Sequence, residues 1–128
     1  MKILGIGADI IENKRIKKSI KNSKFKKRIF SNNELQQSLL LKNKTNFFSK
    51  RFAAKEAFAK ALGTGFRNNL EFKDIEIVNN KQGRPYYLKN KKISNLIKKK
   101  FKVKDYNCFL SISDEKDYST AFTIIQSK

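Results

Sequence analysis

At 128 residues the chain fits a single domain, 1–128, that can bury a core without disulfide staples. It has no histidine and one cysteine, Cys108, which excludes Ser-His-Asp and Cys-His catalysis, the usual zinc sites and an internal disulfide. The net charge of +19 attracts polyanions, but the lysines are spread along the chain, so charge alone names no partner.

Lys2 to Glu12 reads as a strand, with Gly5 and Gly7 allowing another backbone to approach. Asn13 is expected to cap a basic helix over about Lys14 to Asn22. Ser31-Asn32-Asn33-Glu34 has capping-box spacing and predicts a helix through about Leu41. Asn43 to Asn46 reads as a polar break. A long helix follows from about Phe47 to Leu62 and stops at Gly63.

Phe72 to Val78 is expected to be a strand. Asn80 to Pro85 is a turn, and Tyr86 to Leu88 resumes extended structure. Lys91 to Phe101 predicts a helix with Ile93, Leu96 and Ile97 on one face. Tyr106 to Ser113 and Thr120 to Gln126 form a terminal hairpin around Asp114-Glu115-Lys116-Asp117. The fold class is α+β, a mainly antiparallel sheet packed with one long helix and shorter ones. No apolar run approaches the roughly 18–20 residues that span a bilayer. The amino terminus lacks the layout of a signal peptide, so a cytoplasmic protein is expected.

Two acidic residues stand out. Aspartate is disfavoured inside a strand, and Asp9 interrupts an apolar one. A buried carboxylate there needs a metal, a cation or dense hydrogen bonding. Glu56 lies one turn before Lys60 on the alanine-rich helix, where a surface ion pair is the bland alternative. Asp9 and Glu56 together would make a two-carboxylate Mg²⁺ site completed by water and phosphate oxygens. Lys60 would hold a phosphate as a point charge. Gly63 and Gly65 would let a bulky ligand approach the backbone.

Three blocks resemble one family. Gly5-Ile6-Gly7-Ala8-Asp9-Ile10-Ile11-Glu12, followed by Arg15-Ile16, resembles the first signature of the holo-[acyl-carrier-protein] synthases, the short 4'-phosphopantetheinyl transferases. Arg51 to Gly65 is similar to their second signature. Phe109 to Tyr118, followed by Ala121-Phe122, is similar to their C-terminal hairpin, and Gly83-Arg84-Pro85-Tyr86 to their glycine-basic-proline turn. The order and spacing agree over essentially the whole chain.

The resemblance implies transfer of the phosphopantetheine arm of coenzyme A to a serine of an apo acyl carrier protein, in support of fatty acid biosynthesis. It maps the Mg²⁺ ligands onto Asp9 and Glu56 and places Lys60 at the pyrophosphate. It puts Arg51, Lys55, Gly63, Thr64, Gly65, Gly83, Arg84, Pro85 and Ser113 on coenzyme A. It implies a homotrimer with interfacial active sites. An acidic carrier protein would dock on the basic helix through Arg15, Lys18 and Lys21. One departure concerns Asp114, where the family usually has histidine; Lys116 is a candidate to take over its phosphate contact. The competing reading is a small basic nucleic-acid-binding protein, using its charge and the aromatics Phe47, Tyr86, Tyr87 and Tyr106.

Overall fold

Alternation along the first strand sets the layering of the molecule. In the computed structural model, which describes residues 1–67 and 69–128, β1 runs Ile3–Glu12. From Gly5 onward its odd residues face inward and its even residues face solvent. The long helix α4, Lys44–Leu62, lies across the inward face. A Cβ on Gly5 would collide with the carbonyl of Ala61, and one on Gly7 with the carbonyl of Ala57. Helix and strand therefore meet backbone to backbone, which only glycine on this side permits.

The large sheet is completed by β4, Tyr106–Asp114, and β5, Tyr118–Ser127, in the order β1-β5-β4, all antiparallel. Asp9 and Ile112 both lie opposite Ala121. A smaller antiparallel pair, β2 (Ile77–Asn79) and β3 (Pro85–Tyr87), packs beside β4. Helix α4 is apolar around most of its circumference because it is covered on several sides. Its first half shares a core with α1 (Asn13–Ser19), α2 (Ser23–Ile29) and their flanks, through Ile16, Ile29, Phe30 and Phe48. Its second half packs with α5, Lys91–Phe101, through Phe58, Leu62, Ile93 and Ile97. The Tyr87 hydroxyl joins the layers: it donates to the Ala54 carbonyl (2.6 Å) and shares a hydrogen bond with Thr123 Oγ1 (2.6 Å).

Several expectations are corrected. Asn13 does not cap a helix. It is buried, its Nδ2 donates to the carbonyls of Glu115 (2.9 Å) and Lys116 (3.0 Å), and its Oδ1 accepts from Ser119 Oγ (2.8 Å). That clasp ties the end of β1 to the β4–β5 turn. The basic segment forms α1 only to Ser19; Asn22 then caps the separate helix α2, accepting from Lys24 N and Phe25 N. Asn43 to Asn46 is no break, because Asn43 caps α4 and the helix begins at Lys44.

The capping box forms as expected: Ser31 Oγ accepts from Glu34 N (3.2 Å), and Glu34 Oε1 accepts from Ser31 N (3.0 Å). The helix it opens, α3, spans Asn32–Ser38 and tightens into successive turns through Leu41. Phe72 to Val78 is not one strand. Phe72–Asp74 is a 3₁₀ turn, and the carbonyls of Phe72 and Ile75 are taken by the Lys55 ammonium (3.0 and 2.6 Å), which leaves them no ladder partner.

Candidate active site

The close contact of β1 with α4 determines what Asp9 meets. Two residues beyond Gly7 on the same face, Asp9 lies beside the last two turns of the helix. Lys60 Nζ donates to Asp9 Oδ1 (3.1 Å) and to the Ala8 carbonyl (3.0 Å). The Asp9 side chain is only 14% exposed and that of Lys60 is 54% exposed, so the pair lies at the surface edge of the junction between β1 and α4. Glu56, one turn earlier, is half-buried. Burial first, and then the Asp9 charge, hold its carboxyl above the usual glutamate range, while Lys60 opposes both. The structure thus brings together the three residues expected to carry the chemistry.

Among the described residues no group of three or more histidine, cysteine, aspartate or glutamate side chains could hold a metal ion. A cation seated on Asp9 and Glu56 would need water or substrate oxygens for the rest of its shell. Two carboxylates with a neighbouring carbonyl are an all-oxygen donor set, which fits Mg²⁺.

Lys55 is the principal correction. Its ammonium is fully buried and all three of its donors are used, on Glu34 Oε1 (2.7 Å) and the carbonyls of Phe72 and Ile75. No donor remains for a cofactor. Burial holds its pKa below the ordinary lysine range even with Glu34 in contact. Glu34 also accepts from Ile77 N (3.1 Å), so one carboxylate joins α3, α4 and β2. Sequence reasoning gave Glu34 only the capping box. The available signal was an acid three residues after Ser31 facing a lysine in a helix otherwise rich in alanine.

Arg51 is buried beneath a cavity of about 540 Å³ also lined by Gln37, Lys50 and Asp114. Its guanidinium lies 3.8 Å from the centre of the Phe47 ring, Nη2 donates to Gln37 Oε1 (3.5 Å), and Nε has no partner among the described residues. Asp114 sits at this rim, accepting from Asn46 Nδ2 (2.8 Å) with Lys50 Nζ at 4.0 Å. The cation beside it is therefore Lys50; the candidate Lys116 is exposed on the hairpin turn.

Gly63 ends α4 with φ +85°, and Thr64 and Gly65 follow, Gly65 with open space around it. Gly83, also left-handed, Arg84 and Pro85 form the β2–β3 turn, built on Asn80 Oδ1, which accepts from Arg84 N (2.9 Å). Among the described residues no hydrogen bond or ion pair links that turn to Asp9, Glu56 or Lys60. Ser113 lies on the outer face of β4 and shares a shallow groove with Asp9, Ile10 and Phe122. Arg15, Lys18 and Lys21 are exposed on and just after α1, lining another groove with Lys14 and Lys17.

A long helix presses on an antiparallel sheet, and two acids and a lysine meet at their junction; comparison with known proteins places this arrangement in a class of transferases. The model of the 4'-phosphopantetheinyl transferase superfamily matches residues 5–123. The holo-[acyl-carrier-protein] synthase of Pelagibacter ubique is 58% identical over 128 residues, covering 100% of both chains. Two crystal structures share the fold. That of the Neisseria meningitidis synthase has a TM-score of 0.89 at 36% identity, covering 98% of this chain and 100% of its own. That of the Bacillus anthracis synthase, in complex with CoA (3',5'-ADP), has a TM-score of 0.82 at 37% identity, covering 98% of each chain. The chain belongs to the holo-[acyl-carrier-protein] synthase family of 4'-phosphopantetheinyl transferases.

Proposed function

We propose that the chain transfers 4'-phosphopantetheine from coenzyme A to a serine of an acidic apo acyl carrier protein, releases adenosine 3',5'-bisphosphate and depends on Mg²⁺. The convergence of Asp9, Glu56 and Lys60 at one cleft is the observation that carries this reading. Asp9 and Glu56 would hold the metal, which when bound neutralises charge on the diphosphate. Lys60 adds positive charge where the leaving phosphate develops negative charge. The carrier's serine oxygen forms the new bond to phosphorus as the diphosphate P–O bond breaks. Glu56, half-buried beside Asp9 and Lys60, is the proposed acceptor of the serine proton.

Arg51 and Lys50, and Gly63 to Gly65, are proposed coenzyme A contacts, with Ser113 and the Gly83-Arg84-Pro85 turn reaching a site from a neighbouring copy. The apolar patch of Ile6, Ile10, Phe109 and Phe122 on the exposed outer face of the sheet supports an interface between copies, and a homotrimer is the proposed assembly. A role in fatty acid biosynthesis and a cytoplasmic setting belong to the same reading. The nucleic-acid alternative loses support: Phe47 and Tyr106 are buried and the Tyr87 hydroxyl is engaged in the interior, which leaves Tyr86 alone of the four aromatics exposed for stacking on a base.

Mass spectrometry of an apo carrier protein incubated with the chain, coenzyme A and Mg²⁺ should register a gain of one phosphopantetheine arm on serine. Asp9→Ala and Glu56→Ala should abolish it. A competent carrier left unmodified by the wild-type chain would refute the activity.

Docking on α1 is expected to act through association. Arg15→Glu combined with Lys18→Glu should lower kcat/KM for the carrier about tenfold or more at low salt, with little change in kcat. Raising the salt concentration should narrow the gap to wild type; equal rates at low salt would exclude α1 as the docking helix.

A further inference from the structure

We propose that Lys60 is the resident cation of the Asp9–Glu56 cleft before any divalent ion enters, and that the ion enters only as Lys60 releases Asp9. This deepens the reading above and rests on it. The ammonium contacts two oxygens, Asp9 Oδ1 at 3.1 Å and the Ala8 carbonyl at 3.0 Å. Carboxylate and carbonyl oxygens are the donors a hard cation takes. Lys60 thus holds one of the two carboxylates that the metal needs.

The contact has a physical reason. Asp9 is 14% exposed and lies near a second carboxylate that feels its charge. Without a cation the two would repel each other at the edge of a low-dielectric interior. Lys60 relieves that repulsion in the metal-free protein.

The same contact opposes the metal. A divalent ion on Asp9 and an ammonium on the same oxygen would be like charges in van der Waals proximity. Lys60 can leave without moving the helix, because its side chain is 54% exposed and its four-carbon stem is flexible. Once released, it is free to meet an anionic group arriving at the cleft. Metal entry and recruitment of the Lys60 charge to that anion are then a single exchange. Lys60 acts first as a placeholder and afterwards as a ligand for the anion.

Mn²⁺ binding without coenzyme A, followed by electron paramagnetic resonance on the full chain, tests this directly. Lys60→Gln should bind Mn²⁺ about tenfold more tightly than wild type. Most of that advantage should persist at high salt, where a through-space field effect would be screened. In the wild type, the Lys60 side-chain resonance in ¹H–¹³C spectra should change on addition of Mg²⁺ alone. Unchanged Mn²⁺ affinity in Lys60→Gln, an advantage that vanishes with salt, or a Lys60 resonance indifferent to Mg²⁺ would each overturn the exchange. Asp9→Asn separates the two levels. Equal Mn²⁺ binding by Asp9→Asn and wild type would remove the metal site itself, whereas loss of binding in Asp9→Asn without tightening in Lys60→Gln would remove only the placeholder.

Discussion

Lys55→Met is expected to cost about 3–5 kcal/mol of folding stability, the penalty for leaving one member of a buried ion pair alone. Methionine preserves most of the volume but none of the donors. Glu34 would keep its charge at 0% exposure with its cation gone. The carbonyls of Phe72 and Ile75 would lose a partner as well; Phe72 keeps the Ile75 N–H, but a buried acceptor left unpaired at Ile75 would add to the loss. Urea unfolding gives the number. The double variant Glu34→Gln with Lys55→Met should recover part of it, because glutamine removes the stranded charge and still has an oxygen for Ile77 N. A single-variant loss under about 1 kcal/mol would mean that the pair is not a principal fastening of this core.

Gly7→Ala should damage stability and turnover together. The new Cβ would strike the Ala57 carbonyl and lie 2.6 Å from the Ala61 nitrogen, backbone atoms that cannot rotate aside. Helix α4 would have to lift from β1. Overpacking of this kind costs about 1–3 kcal/mol and sometimes more. The lift also separates Asp9 on the strand from Glu56 and Lys60 on the helix. A displacement of about 1 Å at a reacting centre lowers rates on the order of 100-fold. Thermal unfolding and single-turnover transfer rates measure the two effects. A variant with wild-type turnover would show that the site tolerates a looser contact than the geometry implies.

Much of this architecture was legible in the sequence. The spacing of Ile93, Leu96 and Ile97 predicted α5, Gly63 marked the end of α4, and the charged Asp114-Glu115-Lys116-Asp117 segment marked the turn of the β4–β5 hairpin. Asp9 was legible because a lone aspartate in an apolar strand requires a partner. The misses share a cause. Helices of seven residues such as α1 and α2 carry little periodic signal, and a capping asparagine reads equally well as a loop or a helix start. Phe72 to Val78 has strand composition, but its carbonyls are diverted by Lys55, 17 and 20 residues away in the chain. Lys55 lies in a block that resembles a cofactor-binding signature, and only the folded position of Glu34 accounts for its burial.

Among the described residues, the strand carrying Asp9 pairs within its sheet with β5 alone, a strand far later in the chain. A nascent polypeptide therefore cannot pair this strand until β5 has emerged from the ribosome. The register that fixes Asp9 waits on that long-range pairing, and fragments truncated before residue 118 would carry Asp9 without the neighbour that holds it in register.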